Sequence, residues 1–144
     1  MIRYVAPPTW QQKYVGFKKA FETYQNYVVS KNFIGAYIVA FSYLEDRVSV
    51  AYVLLKDIQK ESRPKQNEFV YLNKKLSFLL HHNQLTSTEF KAFKEIVDSR
   101  NEKLHEAMWN LETFTENACN SVMKLGRKAN KLVRKIKKLT HANV

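Results

Sequence analysis

Arg100-Asn101-Glu102-Lys103-Leu104-His105 puts a permanent cation, a carboxamide and an imidazole within six residues. Those groups suit one kind of chemistry. RNA carries its own nucleophile, the 2′-OH. Cutting it needs a base for that hydroxyl, an acid for the leaving 5′-oxygen and a cation for the crowded phosphate. An arginine such as Arg100 is always charged and grips a phosphate through two parallel hydrogen bonds. A histidine such as His105 is the usual acid–base group near neutral pH. Asn101 and His105 stand at i and i+4, neighbours on one face of a helix, so Asn101 can orient the ring or the substrate. One His supplies half of an acid–base pair. A two-fold dimer would supply the other half without any new residue. Chemistry alone therefore expects a nuclease built on this motif to act as a homodimer, with no metal and no cofactor.

The spacing by itself is weak evidence. With six Arg, four His and three permitted gaps, chance gives about 0.5 such pairs in a chain of this length. Arg134 and His141 fit the same pattern. On spacing alone, His105 reads first as a surface helix histidine. Context adds to it. Ser99 with Glu102 has the form of a capping box, so a helix is expected to start at Ser99. Arg100 and Asn101 would then lie in its first turn, where unpaired N–H groups and the positive end of the dipole favour a phosphate.

The elements that must position this motif are helices. Only 3 Gly and 3 Pro occur in 144 residues, too few for many turns, and the apolar pattern has a helical period throughout. Residues 1–8 read as an extended lead-in ending in Pro7-Pro8, with Thr9 as a helix cap. Trp10, Tyr14, Phe17, Phe21, Tyr24 and Val28 form one core stripe, running to about residue 29. Asn32 caps a second helix whose stripe is Tyr37, Phe41, Leu44, Val48, Ala51, Leu55 and Ile58. It is apolar nearly all round between Ile38 and Leu44, as a central helix must be. Glu45-Asp46-Arg47 interrupts it, either as a solvated face with a local ion pair or as part of a site. Glu61 to Asn67 is a loop around Pro64. A third helix is expected from Phe69 to His82, with His81 and His82 as terminal cations rather than metal ligands. Thr86 to Glu89 is a second capping box, opening a helix that faces Phe90, Phe93, Ile96 and Val97 inward and reaches about Asp98, or passes with a kink into the next. The last helix would run from Ser99 to about Leu139, roughly 60 Å if unbroken, with Gly126 as a place to bend.

Charge points to partners. The net charge is +11, which suits a polyanion before an anionic membrane or an acidic protein. Its distribution is sharper still. All 13 acidic residues lie between Glu22 and Glu116, while eight basic residues follow Asn117. Lys124, Arg127, Lys128, Lys131, Arg134 and Lys135 ride on an apolar stripe from Ala118 to Leu139, the pattern of a basic amphipathic helix. Contact with RNA is the favoured reading of these six. A solvated face or a protein-binding surface is the alternative, and a membrane fits least because Trp and Phe are missing from that segment. The single Cys119 excludes an intrachain disulfide and fits a reducing compartment. No signal-peptide h-region or bilayer-length apolar run is present, so the expected location is cytoplasmic.

Arg100-Asn101 followed by His105, an acidic step in the second helix and the run from Leu76 through the Thr86 capping box together resemble a HEPN domain (higher eukaryotes and prokaryotes nucleotide-binding domain). The resemblance covers about residues 9–125 of a single-domain chain, leaving a basic helical extension over about 126–140. It implies an all-α, up-and-down bundle of four to five helices. It also implies a metal-independent endoribonuclease with a composite site in a homodimer, acting as a toxin or an antiviral abortive-infection effector. Arg100 and His105 would be catalytic and Asn101 supporting, and Glu45, with Asp46 beside it as the other match to the family's acidic residue, would hold or tune Arg100 or His105. A cognate antitoxin, either a nucleotidyltransferase or a small protein, is the implied partner. The alternative is a non-catalytic nucleic-acid-binding or protein-interaction helical module.

Overall fold

The computed structural model describes residues 10–59 and 70–142. The lead-in, the Thr9 cap, the Glu61–Asn67 loop and Phe69 lie outside the described residues, as do the side chains of Trp10 and Tyr14. The fold is an all-α bundle. Its helices are α1 (Trp10–Val29), α2 (Phe33–Ile58), α3 (Leu72–His81), α4 (Ser87–Glu106) and α5 (Glu116–Ala142), with a 3-10 turn at Leu111–Thr113. No helix among the described residues is long and apolar enough to cross a membrane.

α2 is the central element, packed against α1, α3 and α5. Its expected stripe from Tyr37 to Leu55 is fully buried, with Ile58 packed at the edge. The Asn32 side chain accepts from the Gly35 N–H at 3.1 Å, closing the start of α2 as the sequence indicates. α1 lays Phe17 and Phe21 edge-on against Tyr43 of α2, with ring centroids 5.3 and 5.0 Å apart. α5 contributes Val122, Met123, Leu125, Ala129, Leu132, Val133 and Ile136 to the same core. Gly126 marks a close approach of α5 and α2 rather than a bend. A Cβ there would stand 2.8 Å from Tyr43 Cδ1.

The Ser99 helix start is not found. α4 opens at the Thr86 capping box, whose two reciprocal hydrogen bonds are both made at 3.0 and 3.1 Å. It then runs without interruption through Ser99 to Glu106. The Ser99 hydroxyl donates back to the Ile96 carbonyl at 3.1 Å instead of capping a new helix. Packing decides this. The inward stripe of α4 continues past Phe93, Ile96 and Val97 to Leu104 and Ala107, which also pack on the core. The break falls later, between Glu106 and Glu116. Asn110 accepts from the Glu112 N–H at 3.0 Å, and Thr115 from the Ala118 N–H at 3.1 Å. Thr115 therefore starts α5, and the expected 60 Å helix is two helices.

Candidate active site

Arg100 lies on the inward stripe of α4, seven residues after Phe93 and four before Leu104. That register aims it at α2. Its guanidinium carbon sits 4.4 Å from the centre of the Phe41 ring, and Nη1 is 3.8 Å from Glu45 Oε2. Phe41 and Glu45 are i and i+4 on α2, so one arginine covers both. At 3.8 Å the pair is ionic without being a hydrogen bond. Both side chains remain close to half exposed. The guanidinium is thus held over Phe41 and beside Glu45 on a side chain that stays in contact with water.

These residues line a cleft of about 520 Å³ between α2, α3 and α4. Asn101 lines it with Arg100 and Glu45. His105 does not. It stands in the last turn of α4, exposed, one turn beyond Asn101 on the same face. A single chain therefore assembles Arg100, Asn101 and Glu45 and leaves His105 outside the cleft.

The motif is at the wrong end of its helix for the expected dipole effect. Arg100 and His105 lie toward the C-terminus of α4, where carbonyls rather than N–H groups are unpaired. α3 supplies the helix start instead. Val70, Tyr71, Leu72 and Asn73 line the cleft, and the N-cap residue Tyr71 makes no side-chain capping hydrogen bond.

Lys75 is the cleft residue that sequence reasoning missed. Burial lowers the pKa of its ammonium, against the opposing field of Glu45. Its Nζ donates to Ser49 Oγ at 2.8 Å. A signal existed, since Lys75 is three residues after Leu72 and four before Leu79, on the face that α3 turns inward. Asp98 closes one side of the cleft. It accepts from Asn73 Nδ2 at 2.8 Å and pairs with Lys94 at 2.7 Å. Those two contacts hold its carboxyl below the ordinary range.

The rest of the charged step behaves differently. The Asp46–Arg47 ion pair exists, with Nη2 2.6 Å from Oδ2, but Arg47 is only 3 % exposed and is no part of a solvated face. Lys124, Arg127, Lys128, Lys131, Arg134 and Lys135 are all exposed along α5, and Lys128 lies 3.7 Å from Glu89 of α4. His81 closes α3 and the His82 ring packs 4.4 Å from that of Phe78 at the helix C-terminus. Among the described residues no group of three His, Cys, Asp or Glu could hold a metal ion. Cys119 is a free thiol, buried, and donates to the Phe33 carbonyl at 3.1 Å.

Compared with protein-family models, with curated proteins and with solved structures, the chain matches none.

Proposed function

We propose that the chain is a metal-independent endoribonuclease of HEPN type, acting in the cytoplasm as a homodimer. The observation that carries this reading is Arg100, held over Phe41 and against Glu45 at the mouth of a cleft that also takes in Asn101 and Lys75. Arg100 and Lys75 would bind the scissile phosphate and offset the charge that builds on it. His105 from each of two copies would serve as base for the 2′-OH and acid for the 5′-oxygen. The P–O5′ bond breaks as the 2′-oxygen bonds to phosphorus, leaving a 2′,3′-cyclic phosphate. Glu45 positions Arg100.

Dimerisation has a surface to use. Met108, Trp109 and Leu111 follow His105 directly and are 74, 81 and 64 % exposed. Large apolar side chains at that exposure support an interaction surface there. A second copy there would bring two His105 side chains near one another. The biological role that fits is a toxin or an abortive-infection effector, held in check by a nucleotidyltransferase or small-protein antitoxin.

The test is purified protein with RNA in excess EDTA. Cleavage to 2′,3′-cyclic phosphate ends, lost in His105→Ala and in Arg100→Ala, is the expected result. Cleavage that stops with EDTA, or that survives both substitutions, rules the mechanism out.

The cations of α5 favour a second reading, a non-catalytic nucleic-acid-binding module. Truncation cannot test it, because Ala129, Leu132, Val133 and Ile136 are core residues. Neutralising Lys124, Lys131 and Lys135 together leaves the core intact. On that reading the triple variant loses RNA binding and its salt dependence, while His105→Ala changes nothing.

A further inference from the structure

We infer that the groove between α1 and α5 is a track for single-stranded RNA, with one unpaired base seated in an aromatic hollow above Arg47. α1 and α5 both lie on α2 and run antiparallel. Tyr24 Oη donates to Asn120 Oδ1 at 2.7 Å near one end, and Arg47 Nη1 to Asn130 Oδ1 at 3.4 Å near the other. Between the two helices are two hollows. One, of about 400 Å³, is lined by Phe17, Phe21 and Tyr43 together with Lys18, Arg47 and Arg134. The other, of about 450 Å³, is lined by Tyr24 and Asn120 with Lys124, Arg127 and Lys131. Among the described residues, no Asp or Glu lines either. Glu22 stands on the α1 side in a shallower hollow beside Phe21.

Arg47 makes the first hollow more than a gap between helices. It is 3 % exposed, and its guanidinium lies 4.4 Å from the centre of the Phe17 ring. Its counter-ion is Asp46, which also pairs with Lys13 at 3.3 Å. Asp46 and Lys13 line a separate hollow between α1 and α2, so the cavity itself is faced by Arg47, Lys18 and Arg134 without that carboxylate. A positive excess under an aromatic wall suits a ligand that joins a flat ring to a phosphate. The hollow also has the volume range and lining of a ligand site. The groove's length favours a strand over a free nucleotide, since Lys124 and Arg134 are separated by about 15 Å of helix. The aromatic walls favour unpaired bases, which stack on such rings while duplex bases stay stacked on one another.

This inference rests on the RNA-binding half of the reading above and not on cleavage. The experiment is fluorescence anisotropy with full-length His105→Ala protein and three labelled probes. They are a single-stranded RNA 10-mer, its abasic counterpart of equal charge, and a duplex of equal length. The single strand is expected to bind about tenfold more tightly than either of the others. Phe21→Leu should weaken single-strand binding about fivefold with the salt slope unchanged. Lys18→Gln or Arg134→Gln should each lower the slope by about 0.7. The inference is overturned if the abasic probe or the duplex binds as tightly as the single strand. The exposed Lys18 and Arg134 variants and the abasic probe keep the test valid should Phe21→Leu misfold. Absent wild-type cleavage with these results intact removes the nuclease and keeps the groove. Cleavage with no abasic or duplex effect does the reverse.

Discussion

Replacing Glu45 with glutamine removes the charge opposite Arg100 and keeps the side chain's shape. At 3.8 Å the pair is worth about 1 kcal/mol in bulk water and ~4 kcal/mol at an effective dielectric constant of ~20. With relative exposures of 43 and 46 %, solvent and salt screen it toward the lower limit. Measured exposed pairs give ~0.2–1 kcal/mol. Glu45→Gln should therefore cost less than about 1 kcal/mol of stability and lower Tm by about 4 °C or less. If the pair positions Arg100 for a phosphate, activity should fall much further. A misplacement of about 1 Å can cost ~100-fold in rate, so a 10- to 100-fold fall in kcat is expected, with KM for RNA changing little. Urea denaturation read beside cleavage in EDTA separates the two effects. Cleavage within twofold of wild type would refute the positioning role. So would a stability loss above about 2 kcal/mol, which would make Glu45 a structural residue.

Four further outcomes follow from the packing and the caps. Gly126→Ala should destabilise by about 1 kcal/mol, and by no more than about 2 kcal/mol, on urea denaturation. Overpacking against Tyr43, whose ring Phe17 and Phe21 hold edge-on, costs ~1–3 kcal/mol and outweighs the ~1 kcal/mol that alanine gains in a helix. Cys119, with burial pushing its thiol up to about 11, should resist alkylation in the folded protein at pH 8 and react only on unfolding. Thr86→Ala should cost ~1 kcal/mol. The backbone hydrogen bond at Thr86 lowers the Glu89 pKa from 4.5. The folded value is depressed, so its contribution is full above pH 4.5 and is lost as pH falls through the lowered value. The wild type's excess stability over a Glu89→Gln variant should therefore shrink in acid, as thermal melts across pH would show.

Helical period and local caps made most of this fold legible in the sequence. Asn32 and Thr86 close their helices through side-chain hydrogen bonds three residues away, and the α2 stripe from Tyr37 to Leu55 needs only its own spacing. The Arg100–Glu45 juxtaposition was implied by the resemblance alone, since the helical pattern put Arg100 in the first turn of a separate helix and Glu45 outside the α2 stripe. Three things belonged to the tertiary structure. Ser99-x-x-Glu102 has the form of a cap but sits inside α4, because Leu104 and Ala107 extend the buried stripe and burial outweighs a local cap. Arg47 is buried because α1 lays Phe17 over it and α5 brings Asn130 to it, and neither contact is local. Lys75 enters the cleft because α3 packs beside α2. Spacing determined which residues share a face of a helix. Only packing decided which helix each face would meet, and so which charges share a cleft.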